Sequence, residues 1–312
     1  MKNYLLLSRV SVHNANAMSS IFTIGVPAMT AWLGAMHALE RKLGERCDQS
    51  LSDIRFTQMA VSYHKTSLQT IRKNGIGYIV MTANPLVVDK KKSSKDNYIF
   101  KRAPLLEEPR IHLLVSLLIE VEGADGNNME LLEQAVKEIL PRMKMAGGDI
   151  LDVGKIQVMR IDVNDRKAVK KVIFSLMPGY VPIERKDLME AAELERKDSL
   201  DRLLHYLKVY QTAEKDESGK ITGWKYEKAA AGWIVPLAVG FKGLSPLGKV
   251  KNQRDPDAPH RFAESIVTLG EFKMAHRFRD IDGMMWHYAY EETNQLYLCK
   301  NNCLLYTSPS PR

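Results

Sequence analysis

The sequence predicts an α+β protein of the elaborated ferredoxin-like kind, an antiparallel sheet backed by helices. Three observations carry that prediction. Strand-length runs alternate apolar and polar residues, two segments between them repeat every 3.6 residues, and together they give the order β-α-β-β-β-α-β over residues 1–178.

The first strand begins at Tyr4 and alternates, with Leu6, Ser8, Val10 and Val12 expected on one face and Arg9, Ser11 and His13 on the other. It runs into a loop of small polar residues from Asn14 to Ser20, a backbone that a ligand can approach closely. Pro27 precedes a helix expected from Thr30 to Leu43, with Trp32, Met36, Leu39 and Leu43 as its buried stripe and Gly34, His37 and Arg41 opposite, a small basic face. Strands are expected at Ile54 to Tyr63, Ile76 to Thr82 and Ile111 to Val121, the last with His112, Ser116, Glu120 and Glu122 marking its polar face.

Asn127 to Glu130 reads as a capping box for a helix whose Leu132, Ala135, Val136, Ile139 and Leu140 face a core, which Pro141 divides before Gly147-Gly148. A strand at Lys155 to Ile161, a helix from Asp165 to Leu176 and a turn at Pro178-Gly179 complete the first unit. The domain reading is a core at 1–178 with a protruding loop at 85–105, a charged helical insertion at 179–218 and C-terminal strands with a basic Gly/Pro-rich segment at 219–302. Within the insertion Leu200, Leu203, Leu204 and Leu207 share a stripe; beyond it, Glu214 to Lys220 is a polar turn and strands are expected at Ile221 to Tyr226 and Gly232 to Val239.

With 312 residues, 45% apolar and 26% charged, the composition is that of a globular chain, and the net charge of +8 favours an anionic partner, nucleic acid first. No run reaches the about 20 apolar residues a membrane span needs, and Arg9 interrupts the short apolar N-terminus, so a cytoplasmic protein is expected. Cys47, Cys299 and Cys303 have neither zinc-site nor disulfide-framework spacing. The last ten residues, Cys303 to Arg312, resemble a transposase sequencing adapter read in frame, so Asn302 is taken as the last native residue and the tail is set aside.

Two basic segments stand out. Lys90, Lys91 and Lys92 open a lysine-rich loop that can lie along phosphates, with Tyr98 and Phe100 close by. Phe241 to Arg254 combines Lys242, Ser245, Lys249, Lys251, Asn252 and Arg254 with flexible Gly and Pro, which suits single-stranded RNA held by phosphates and base edges. No nucleophile elbow, P-loop, dinucleotide fingerprint or zinc-protease motif is present, and no cofactor or metal is expected. His13, His37 and His64 leave open one enzymatic alternative, a metal-independent endoribonuclease acting on precursor RNA.

Leu5-Leu-Leu-x-Arg9, Asn14-Ala-Asn-Ala17, Gly25-x-Pro27 and His37-Ala-Leu-x-Arg-Lys42 resemble the Csy-two (Cas-five-f) family of type I-F CRISPR surveillance complexes. The resemblance continues in order through Asn84-Pro85-Leu86, Ala146-Gly-Gly-x-Ile150, Leu176-x-Pro-Gly179, Gly232-Trp-x-Val-Pro236, Leu244-Ser-Pro246, Val250-x-Asn252, Arg254-Asp255, Arg261-Phe262 and Leu269-Gly-Glu271. It implies an RRM-like (RAMP) fold with a β-hairpin thumb, for which the Lys90 to Lys95 loop is the candidate. It also implies a non-catalytic subunit that binds the 5′ handle of the crRNA, pairs with the large subunit, joins the backbone subunits and reaches target DNA through the assembled complex. On matching positions it assigns Arg9, Asn14, Asn16, Arg41, Ser245, Asn252, Arg254 and Arg261 to the RNA-facing set, beside the lysines above. A basic scaffold binding only the large subunit is the third alternative.

Overall fold

The computed structural model describes residues 1–46, 51–80, 86–89, 97–101, 108–126, 128–193, 198–253 and 255–302. The chain opens with β1 (Lys2–Asn16), two short strands β2 (Met18–Ser20) and β3 (Thr23–Ile24), and helix α1 (Met29–Arg46). β4 (Arg55–Leu68) is followed by the hairpin β5 (Thr70–Lys73) and β6 (Ile76–Ile79), then by β7 (Val87–Val88), which pairs with β8 (Phe100–Lys101). β9 (Arg110–Glu122), α2 (Met129–Ile139), β10 (Lys144–Met145), β11 (Gly148–Asp152), β12 (Lys155–Ile161) and α3 (Arg166–Ser175) complete the first half.

The second half begins with β13 (Tyr180–Glu184), α4 (Lys186–Glu193) and α5 (Ser199–Leu207), then a separate hairpin of β14 (Val209–Lys215) and β15 (Ile221–Lys228). It closes with β16 (Ile234–Gly243), β17 (Ala263–Met274), β18 (Trp286–Glu291) and β19 (Leu296–Asn301). The molecule is thus mixed α and β, with antiparallel strands dominating. One 11-stranded sheet runs β10-β11-β1-β9-β4-β13-β17-β16-β19-β18, with β12 also on β1, and it curls until β18 meets β4 at Trp286 and Met59.

β1 pairs with β9 on one side and with β11 and β12 on the other, and it feeds two cores. Leu5, Leu7, Val10, Val12 and Ala15 pack with Trp32, Leu39 and Leu43 of α1 and Leu132 and Val136 of α2, whereas Tyr4 and Leu6 pack with Val169, Val172 and Ile173 of α3. Strict alternation cannot place Leu7 and Val10 on one face. The register against β9 skips one residue between Leu7 and Val10 and another between Val12 and Ala15, where Arg9 (φ 54°) and Asn14 (φ 58°) are left-handed. These bulges correct the sequence expectation for Leu6 and Ser8, which do not share the face of Val10 and Val12.

Several other expectations shift. The small polar segment after Asn14 is strand, not loop, since β1 runs to Asn16 and Met18–Ser20 pairs with Thr23–Ile24. The polar face of β9 is covered too, for Ser116 and Glu120 are buried. At α2 the cap is Asn128, whose Oδ1 accepts from Asp125 N, and its Nδ2 donates to Gly123 O, so its side chain closes the preceding turn. The helical insertion is two short helices, of which only Leu203 of the leucine stripe is fully buried. Asn127, Lys90 to Lys95 and the Cys303 to Arg312 tail lie outside the described residues.

Among the polar contacts that tie α1 to the sheet, one lies inside the apolar core between two buried rings. Trp32 Nε1 donates to Tyr63 Oη at 2.7 Å, with the rings edge-on and both residues buried. Tyr63→Phe keeps the ring and leaves the indole N–H without an acceptor in a site water does not reach. The expected result is a loss of about 1–3 kcal/mol in unfolding free energy by urea denaturation, with little change in the folded CD spectrum.

Candidate nucleic-acid interface

The segment from Leu244 to Phe262, between β16 and β17, is folded although it has almost no regular structure. Leu244 N donates to Phe262 O at 2.8 Å, and Gly248 and His260 exchange backbone hydrogen bonds of 2.9 and 2.7 Å. The Gln253 side chain braces the interior: its Oε1 accepts from Val250 N, and its Nε2 donates to Asp255 O and Ala258 O. Ser245 Oγ accepts from Phe262 N at 3.0 Å, so this hydroxyl holds the loop closed. Asn252 turns the chain with φ 64°.

That scaffold projects cations. Lys242, Lys249 and Lys251 are exposed, while Arg261 lies across Gly243, where an added Cβ would meet Arg261 Cδ at 2.7 Å. Arg261 Nε and His260 Nδ1 are buried and have no hydrogen-bond partner among the described residues. A buried guanidinium N–H without an acceptor is costly in a closed structure, and a phosphate oxygen is the acceptor it suits best. Arg254 lies outside the described residues, as do Lys90, Lys91 and Lys92.

Next to this loop a cavity of about 640 Å³ opens between the small-residue face of α1 (Gly34, Ala35, Ala38) and Phe241, Tyr288 and Tyr297. Asn16 and Lys144 sit at its rim. Asn16 is engaged with its own chain, Oδ1 accepting from Met18 N and Nδ2 donating to Met18 O. Arg41 is exposed one turn beyond His37, whose ring lies against Tyr288, tilted by 38° with centroids 4.8 Å apart. Of the predicted RNA-facing residues only Asn16 lines this groove; Arg41 and Lys242 do not. Its aromatic wall was missed from the sequence; the alternation of Trp286, Tyr288 and Tyr290 was the available signal.

Arg9 and Asn14 belong elsewhere, to the bulges of β1. Arg9 N donates to Ser116 Oγ at 3.0 Å, and Asn14 N donates to His112 Nδ1 at 3.3 Å. Ser116 Oγ lies 2.6 Å from His64 Nε2, and His64 Nδ1 lies 2.6 Å from Pro178 O. Neutral His64 satisfies all three: Nδ1–H donates to the carbonyl, and Nε2 accepts the Ser116 hydroxyl, which in turn accepts Arg9 N–H. Gln69 Nε2 donates to Asn14 Oδ1 and lies 3.1 Å from His112 Nε2, and His13 stacks on His112 with centroids 4.1 Å apart.

Of the three histidines considered for RNA cleavage, His13 is stacked on His112, His37 lies tilted against Tyr288, and His64 is bonded at both nitrogens. Among the described residues no group of three or more His, Cys, Asp or Glu is placed to hold a metal ion. Burial pushes the Cys299 thiol up to about 12, out of the nucleophilic range. No described helix is long and apolar enough to cross a membrane.

Comparison with known proteins agrees with the residue pattern. The family described as CRISPR-associated protein (Cas_Csy2) matches residues 5–299. A curated relative from Pseudomonas aeruginosa (strain UCBPP-PA14), named CRISPR-associated protein Csy2, is 30% identical over 321 aligned positions, covering 94% of this chain and 93% of its own.

The imidazoles that brace the bulges give the fold a pH dependence. Burial holds His64 below its ordinary 6.5, with the Pro178 carbonyl opposing and the Arg9 charge adding to it, and His112 is lowered by burial and by His13. A histidine depressed in the folded state takes up its proton first in the unfolded chain, so its stabilising contribution is complete above 6.5 and declines as pH falls toward the folded value. The urea midpoint is expected to drop between about pH 7.5 and about pH 5.5, and His64→Gln should flatten that slope. Equal slopes for the two proteins would show that His64 is not the group responsible.

Proposed function

The chain belongs to the Csy2 family of type I-F CRISPR-associated proteins, and from that membership we propose that it is a non-catalytic RNA-binding subunit that grips the 5′ handle of the crRNA and pairs with the large subunit. The observation that carries this reading is the braced Leu244 to Phe262 loop, with cations turned outward and the Arg261 Nε and His260 Nδ1 positions unmatched. Such a loop holds phosphates at fixed spacing and leaves base edges to be read by neighbouring amides. The aromatic groove beside it is wide enough for an unstacked base.

The strand order supports an RRM-like, ferredoxin-like core for this subunit. β1, α1, β4, β9, α2 and β12 follow one another in the chain, and their strands lie in the order β12-β1-β9-β4, all antiparallel. Helices α1 and α2 cover one face of that unit. The β7–β8 pair, closed by Val88 opposite Phe100, stands where the thumb hairpin is proposed. Target DNA then meets this subunit only as part of the assembled complex.

The test is equilibrium binding of repeat-derived 5′-handle RNA and a scrambled control at about 150 mM salt, followed by a salt titration. Preference for the handle, with the RNA recovered intact, is the expected result; equal affinity for both would reduce the chain to a basic scaffold. Alanine at Lys249 and Lys251 together should lower the slope of log K against log salt by about 1.4, since each single-strand phosphate contact contributes about 0.7. An unchanged slope would remove this loop from the interface.

A further inference from the structure

A second cationic surface lies at the other end of β17, where α3 packs against the turn that follows Met274. There Arg166 and Lys170 of α3, with His276 and Arg279 of the turn, line a cavity of about 640 Å³ whose remaining walls include Phe174 and Phe278. No aspartate or glutamate lines it. The nearby carboxylates are turned onto backbone amides: Asp162 accepts from Asn164 N, Asp165 from Lys167 N and Asp280 from Gly283 N, at 3.0, 2.8 and 2.8 Å. Among the described residues none of Arg166, Lys170, His276 and Arg279 forms an ion pair, although all four are exposed.

The helix itself carries a cost here. α3 has no acidic residue in its first turn, and Arg166 and Lys167 stand at its positive end, against the preference of the helix dipole. The Asp165 carboxylate caps the helix and answers the N-terminal amides, so the cost that remains is the mutual repulsion of the exposed cations, which an external anion relieves. The cavity also has an aromatic wall, because Phe174 is 52% exposed and Lys170 Nζ sits 5.7 Å from its ring centroid. Phosphate-seeking cations beside an open aromatic ring match a nucleotide, which offers a phosphodiester and a stacking face together. An acidic protein surface would use the cations and leave Phe174 idle.

We propose that this cavity binds single-stranded nucleic acid, with Arg166, Lys170 and Arg279 on the phosphates and a base stacked against Phe174. It is separate from the Leu244 to Phe262 loop, because β17 runs from Ala263 to Met274 and an extended strand of that length places its ends on the order of 30 Å apart. The site goes beyond the handle reading and stands on charge and geometry of its own.

The experiment uses the full chain with Lys249 and Lys251 already changed to alanine, so that residual binding reports this cavity. Fluorescent oligouridylate and oligothymidylate of about 12 nucleotides serve as probes across a salt series. Lys170→Ala and Arg279→Ala are each expected to lower the salt slope by about 0.7, whereas Phe174→Ala should weaken binding about fivefold or more and leave the slope unchanged. Photocrosslinking of 5-iodouracil-substituted probes should place adducts in the peptide carrying Phe174. Preference for the uridylate assigns the cavity to the guide strand and preference for the thymidylate to a DNA strand; either supports the site. Unchanged affinity and slope in all three variants would overturn it, as would variants that bind both probes normally and lose only association with the other protein subunits. All three side chains are exposed, so loss of fold does not confound the result.

Discussion

The structure depends on one demand placed on β1: it must stay paired with β9 along nearly its whole length while supplying side chains to cores on opposite faces of the sheet. Perfect alternation would serve both faces but could not send both Leu7 and Val10 to the core packed by α1 and α2, since they would point apart. Two left-handed residues, Arg9 and Asn14, each absorb one extra residue and reset the phase. Every bulge leaves a backbone N–H without its ladder partner, and here β9 supplies side chains in place of carbonyls. Ser116 takes the Arg9 amide and His112 takes the Asn14 amide. His64 and Gln69 then hold those two acceptors in place.

This arrangement explains why polar residues stand on an inward-facing strand. Read in sequence, His112 and Ser116 mark the more polar face of β9; in the fold they are the acceptors that make the bulges affordable, and Ser116 is completely buried. Close approach is enforced on the far side of β1 as well, where a Cβ on Gly148 would sit 2.6 Å from His13 O. Asn14 suits the left-handed conformation by its own chemistry, whereas Arg9 holds it with its amide bonded to Ser116 Oγ.

Local elements were readable wherever a single periodicity governed them. The α1 stripe of Trp32, Met36, Leu39 and Leu43 is buried throughout, β12 spans Lys155–Ile161 as expected, and Asp165 caps α3 through Lys167 N. What the sequence concealed was phase and closure. Alternation cannot announce a bulge, and β17 and β18 join the first half of the sheet through strands far away in the chain, β17 on β13 and Trp286 of β18 opposite Met59. The candidate interface divides in the same way. Lys242, Lys249 and Lys251 are visible as a basic run, but the bracing by Gln253 is a three-dimensional fact, and Arg166 and Lys170 meet His276 and Arg279 only where β13 pairs with β17 and sets Met274 opposite Tyr180.

The net charge of +8 is therefore not spread evenly, and its distribution separates what holds the protein together from what it offers outward. Where a cation is structural, the fold provides carboxylates at bonding distance. Arg185 is nearly buried between Asp187 and Glu271, at 2.9 and 2.6 Å, and Lys2 closes on buried Glu120 at 3.1 Å. Removing one partner from such a pair would strand a charge in a poor solvent, so these residues are committed to the fold. At the two ends of β17 the opposite holds: the cations are exposed and the nearby aspartates are spent on turns. Unpaired exposed cations contribute little to stability and raise self-repulsion, so a fold that could have neutralised them gains nothing from leaving them open. Their concentration around a braced loop and a Phe-lined cavity, while Arg185 and Lys2 are fully matched, is the charge distribution on which the two proposed polyanion surfaces rest.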